Sequence, residues 1–141
     1  MRYMLMVKAN GYTEARVKPS EEHNAAMLAY QHSLAEAGVL LAAEELRPSS
    51  AGIRITYAKG SEKPEVLAGP FPIDPALVAE FTLINVDTEE EALDWAMRMP
   101  IPAERGASYA IELRRLEDKK ENSRDPKLFT LEAELKDYLR L

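Results

Sequence analysis

The sequence predicts one α+β domain, and three observations carry that expectation. Hydrophobic residues make up 46% of the 141-residue chain and charged residues 30%, enough apolar surface for a core of its own. Two stretches, 20–37 and 88–99, repeat apolar residues at helical spacing behind acidic starts. Short apolar or alternating runs lie before, between and after them, at strand length.

Residues 2–8 read as a strand with apolar residues on both faces. A first long helix follows Pro19. Ser20 is its N-cap, Glu21 and Glu22 sit where the helix dipole favours acids, and Gly38 supplies the C-terminal stop. His23, Met27, Tyr30, Leu34 and Ala37 form its stripe, at spacings of 4, 3, 4 and 3. Val39–Ala43 reads as a short buried strand. Ile53–Ala58 and Glu65–Leu67 read as the arms of a hairpin whose turn holds Gly60, Ser61 and Pro64. Phe81–Val86 is another two-faced strand. Thr88-Glu89-Glu90-Glu91 fits a capping box opening a second helix, with Ala92, Trp95, Ala96 and Met99 on its apolar face and Pro100 ending it. A last strand spans Ser108–Leu116, with Tyr109, Ile111 and Leu113 on one face and Glu112 and Arg114 on the other.

Without the hairpin, this order is a split β-α-β repeat, the ferredoxin-like arrangement, which sets both helices on one face of the sheet. Two-faced strands require a cover on the other face as well, and a second subunit, sheet against sheet, is the simplest one. A homodimer is therefore expected. Beyond this 1–116 domain, 117–124 is a charged linker. Asp125-Pro126 then starts an amphipathic C-terminal helix through Leu128, Leu131, Leu135 and Tyr138 or Leu139. That helix either docks on its own subunit or grips a neighbour.

Composition also narrows function. No cysteine is present, which excludes disulfides, thiolate chemistry and cysteine-bound zinc. The formal charge is −6 and the basic pairs Arg114-Arg115 and Lys119-Lys120 adjoin acids, so no nucleic-acid partner is expected. The N-terminal apolar run is too short for a signal peptide and no stretch reaches membrane-span length, so the expectation is a cytoplasmic protein without a membrane partner. There is no phosphate loop, dinucleotide fingerprint or Gly-x-Ser-x-Gly elbow, and no cofactor or metal is predicted. His23 and His32, nine apart, fall on different faces of one helix and form no metal pair.

The segments Val66-Leu67-Ala68-Gly69-Pro70-Phe71 and Glu80-Phe81-Thr82-Leu83-Ile84-Asn85-Val86-Asp87, followed by Glu91-Ala92-Leu93-Asp94-Trp95-Ala96, resemble the YCII-related proteins. Within these they are most similar to the branch named for an Asp-Gly-Pro-Phe signature (DGPF). Arg2-Tyr3-Met4-Leu5, the run from Ala37 to Glu44, and Arg98-Met99-Pro100 agree with this. The resemblance implies a dimeric α/β-barrel of two ferredoxin-like subunits, each with a cleft. It also implies a regulatory partner linked to sigma factors for some members, and histidine–aspartate acid–base chemistry on small molecules for certain relatives. The chain departs from the pattern at two places. Ala68 stands where the signature has Asp, and His23 lies one turn before the helix histidine of those enzymes, which falls near Met27, so their acid–base pair is not carried over.

His23 and Glu44 are the candidate catalytic groups. A neutral His23 imidazole is suited to a general base, though its place on the stripe equally fits a capping or core-margin residue. Glu44 follows a buried strand, where desolvation raises a carboxyl pKa, and by resemblance it occupies a glutamate position of the DGPF branch. Arg54, Arg114 and Glu112 are candidate ligand-binding residues for an anionic molecule, with a structural ion pair as the alternative for Glu112 and Arg114. Phe71 is a candidate pocket wall or hairpin anchor. Two functions stay open: a small-molecule-binding or regulatory homodimer, and an acid–base enzyme acting on a small, possibly anionic molecule in the barrel cleft.

Overall fold

A computed structural model describes residues 1–102, 108–118 and 135. Strand β1 (Arg2–Lys8) leads into a short helix α1 (Gly11–Glu14), then α2 (Glu21–Glu36) and β2 (Leu40–Glu45). A 3-10 turn (Ser49–Ala51) precedes the hairpin β3 (Ile53–Thr56) and β4 (Glu65–Ala68). Then come β5 (Val78–Asn85), α3 (Glu89–Arg98) and β6 (Ile111–Arg115). The four long-range strands form one sheet in the order β2-β5-β1-β6, every pairing antiparallel, while β3 and β4 pair only with each other. This arrangement is compatible with the expected ferredoxin-like pattern carrying an inserted hairpin.

Local chemistry sets the helix ends. Ser20 Oγ accepts from the His23 N–H at the start of α2, and Gly38, at φ 73°, takes the left-handed position beyond its end. Thr88 Oγ1 accepts from the Glu91 N–H, while the Glu91 carboxylate reaches back to the Asp87 N–H, a capping box displaced by one residue. Helix α1 was absent from the sequence reading. Its capping box is built by Asn10 and Thr13, a pair with too little apolar pattern beside it to signal a helix.

Both long helices cover the same sheet face. Tyr30 and Leu34 from α2 and Ala92 and Trp95 from α3 pack on Tyr3 and Leu5 of β1 and Ile84 of β5. Leu5, Leu34 and Ile84 are fully enclosed, each worth roughly 1.5–3 kcal/mol of apolar burial. Tyr30 is the polar tie within this core. Its hydroxyl donates to the Trp95 carbonyl at 2.6 Å and its ring meets Trp95 edge-on at 6.2 Å. Burial pushes the Tyr30 pKa up to about 12, with Arg98 opposing, so the hydroxyl stays a donor throughout the physiological range.

The opposite sheet face is also apolar at its centre. Cross-strand partners share a face, so Ala42, Leu83 and Met4 form one row ending at Arg114, and Glu44, Phe81 and Met6 form the next, ending at Glu112. Neither α2 nor α3 lies on this side. Leu83, Phe81, Met4 and Met6 are only half-buried there.

Candidate functional site

Two clefts flank the edge strand β2, and they share two carboxylates. The first, about 310 Å³, lies where Met27 and Gln31 of α2 face Glu44, Glu45, Glu80 and Thr82. The second, about 630 Å³, lies at the C-terminal end of β2 and is lined by Arg16, Lys18 and Arg47 together with Glu45 and Glu80. Glu45 and Glu80 are direct cross-strand partners, so their side chains rise from neighbouring strands on one face. Glu80 alternates with Thr82 and Ile84 along β5, which places it on the helix-covered side at the margin of the core. Burial there, with the Glu45 carboxylate adding to it, raises the Glu80 pKa above the ordinary glutamate range.

Glu80 was not a candidate in the sequence. The two-faced apolar pattern in the sequence starts at Phe81. In the structure β5 begins at Val78, since β1 pairs with it down to Val78 and β2 down to Glu80. The period-two alternation Glu80, Thr82, Ile84 was the available signal.

Of the predicted catalytic pair, Glu44 borders the first cleft and His23 borders neither. His23 is half-exposed in the first turn of α2. Glu44 lies within β2 rather than beyond it, opposite Phe81, because the strand runs two residues past the apolar stretch to Glu45. His32 is exposed and lies 3.1 Å from Glu36, one helical turn on. Among the ligand-binding candidates, Glu112 is paired with Lys8 at 3.4 Å and not with Arg114. Arg114 stands opposite Met4 on the open face.

Arg54 and Phe71 engage each other, the guanidinium 4.1 Å above the ring. Phe71 is also tied through its backbone: its N–H donates to Ser49 Oγ, whose own hydroxyl donates to Glu14 Oε2 at 2.6 Å. The Ser49 N–H completes the Glu14 contact. One buried serine thus joins α1, the 3-10 turn and the Gly69-Pro70-Phe71 segment at the hairpin base, a contact set that long sequence separation hid from the sequence reading. Gly69 lies so near the Ser49 carbonyl oxygen that an added Cβ would collide with it. Ala68 is exposed opposite Ile53.

No metal-type cluster of His, Asp or Glu occurs among the described residues, and no helix among them is long and apolar enough to cross a membrane. The sheet order, the helix-covered face and the cleft beside β2 together describe an α+β domain with a lateral small-molecule-sized cavity. The YCII-related domain matches residues 1–117, and the chain belongs to that family. No curated protein matches the chain.

Glu80 gives a pH prediction. A carboxyl whose pKa rises on folding binds its proton more tightly in the folded state, so its stabilising contribution is complete below the unfolded pKa and is lost as pH rises through the folded value. Glu80→Gln is therefore expected to be more stable than the parent at pH 8, with the gap closing as pH falls below the ordinary glutamate range. Urea melts of both proteins between pH 4 and pH 8 check this, and a gap that widens toward acid would contradict it.

Proposed function

We propose that the chain is a small-molecule-binding homodimer, of the DGPF type within its family, in which two subunits meet through their open sheet faces in a dimeric α/β-barrel. Glu80 marks the binding site in this reading. A half-buried carboxyl whose pKa is raised by burial, beside a second carboxylate and in two adjoining clefts, has a cost in stability that a ligand site would explain. The open face supports the dimer, because Met4, Met6, Phe81 and Leu83 give it an apolar centre rimmed by Arg114, Glu112 and Glu44.

The same carboxyl favours a second reading, an acid–base enzyme with Glu80 as proton donor and Glu45 as its neighbour. Glu80→Gln separates the two. Ligand binding survives it in a binder, whereas turnover resting on that proton falls by about 100-fold or more. For the assembly, light scattering on the full chain, and on a version ending at Leu116, is expected to give dimers in both cases. A full chain that scatters as a single subunit sinks the barrel, and a dimer lost only on truncation would move the contact to the C-terminal segment.

A further inference from the structure

We infer that the larger cleft takes an organic acid with an apolar body and two anionic groups, held by Arg16, Lys18 and Arg47. This rests on the cleft being the ligand site and specifies the ligand's chemistry. All three cations line one cavity of about 630 Å³. None of them is ion-paired or hydrogen-bonded through its side chain among the described residues, although the chain carries an excess of acids. Three exposed cations lining one concavity with two carboxyls leave it an excess of positive charge, which draws anions. Glu45 is the opposing charge. Glu80 is the second carboxyl of the cleft, and burial with the Glu45 carboxylate beside it raises its pKa above the ordinary glutamate range.

The apolar half of the ligand follows from the remaining walls. Val17 and Leu46, each about half exposed, border the cleft with Pro19 and Pro48. A bare phosphate would leave those walls wet and most of the cavity unfilled, whereas an aromatic or aliphatic acid covers them.

Arg16 adds an independent backbone observation. The residue sits at φ 58°, the only described residue other than glycine with a positive φ. It occupies the position just past the α1 C-cap, with its N–H on the Thr13 carbonyl and the Val17 N–H on the Tyr12 carbonyl. Glycine is the usual occupant of that position because a Cβ is disfavoured there. Glycine would make the same two backbone hydrogen bonds without the Cβ penalty, so an arginine held there points to a use for its side chain.

The test uses the full-length chain, labelled with nitrogen-15 and followed by amide chemical shifts at constant ionic strength. Four probes are titrated: phthalate, benzoate, benzamide and inorganic phosphate. Phthalate is expected to saturate and to move the amides of Arg16, Val17, Lys18, Leu46, Arg47 and Glu80. Benzoate binds there more weakly, and benzamide and phosphate do not saturate. Arg16→Gly should fold at least as stably as the parent yet weaken phthalate about tenfold or more, the loss of one charge-assisted contact. Arg47→Gln repeats the loss at an ordinary backbone position, should Arg16→Gly fail to fold. If benzamide matches benzoate, or phosphate matches phthalate, the proposed ligand class is wrong while the cleft remains the ligand site. If none of the four moves the cleft amides, both the class and the site fail. Unchanged phthalate affinity in the arginine variants overturns the assignment of the cations.

Discussion

Gly69→Ala is expected to free the hairpin from the body of the protein while leaving the sheet and its two long helices folded. The new methyl group would meet the Ser49 carbonyl oxygen, and that oxygen has nowhere to go. It already accepts the Gly52 N–H at 2.8 Å, and the rest of Ser49 is held by the Glu14 carboxylate and the Phe71 N–H. Inserting a methyl group into packed surroundings costs about 1–3 kcal/mol, and the upper end applies because the obstacle is backbone and not a flexible side chain. Every residue of β3 and β4 is exposed, so the hairpin has little burial of its own with which to resist. Its amide protons should exchange about 100-fold faster, while those of β1 and β5 keep their protection. Gly52→Ala is the graded comparison, since its Cβ would lie 3.2 Å from the same oxygen and should cost far less. Equal hairpin exchange in the Gly69→Ala protein and the parent would show that the Ser49 junction does not hold the hairpin.

That junction marks the border between what the sequence could and could not disclose. Ser20, Gly38, Thr88 and Pro100 punctuate helices through chemistry confined to a few neighbouring residues, and each functions as read. The two-faced character of β1 and β5 was likewise legible, because it depends only on alternation along a strand. Glu14, Ser49 and Phe71 lie 35 and 22 residues apart, and no local pattern announces that their polar groups meet. The site fell on the same side of that border. Glu44 was chosen because it ends an apolar run, yet the carboxyl that becomes half-buried is Glu80, which two neighbouring strands draw into the sheet. Burial is a property of the assembled sheet, so a reading confined to one strand at a time does not disclose Glu80.

Leu83→Glu is expected to turn the proposed dimer into single subunits without unfolding them. Leu83 lies between Met4 and Ala42 at the middle of the open face, and its neighbours Thr82 and Ile84 belong to the other, helix-covered side. A carboxylate there stays hydrated in a free subunit but would be stripped of water between two packed sheets, at a cost of several kcal/mol. Two-fold symmetry places the substitution in the interface twice. A dissociation constant raised on the order of 1,000-fold or more follows, and sedimentation over a range of concentrations measures it. The rival interface is the hairpin, whose Ile53, Ile55, Tyr57 and Val66 are 70%, 56%, 75% and 63% exposed. Ile53, Ile55 and Val66 share one of its faces. Ile55→Glu therefore decides between the two surfaces. If it dissociates the dimer and Leu83→Glu does not, the subunits meet through the hairpins and the sheets do not face each other. If only Leu83→Glu does so, the apolar rows of β1 and β5 are the contact, and the barrel follows from their geometry.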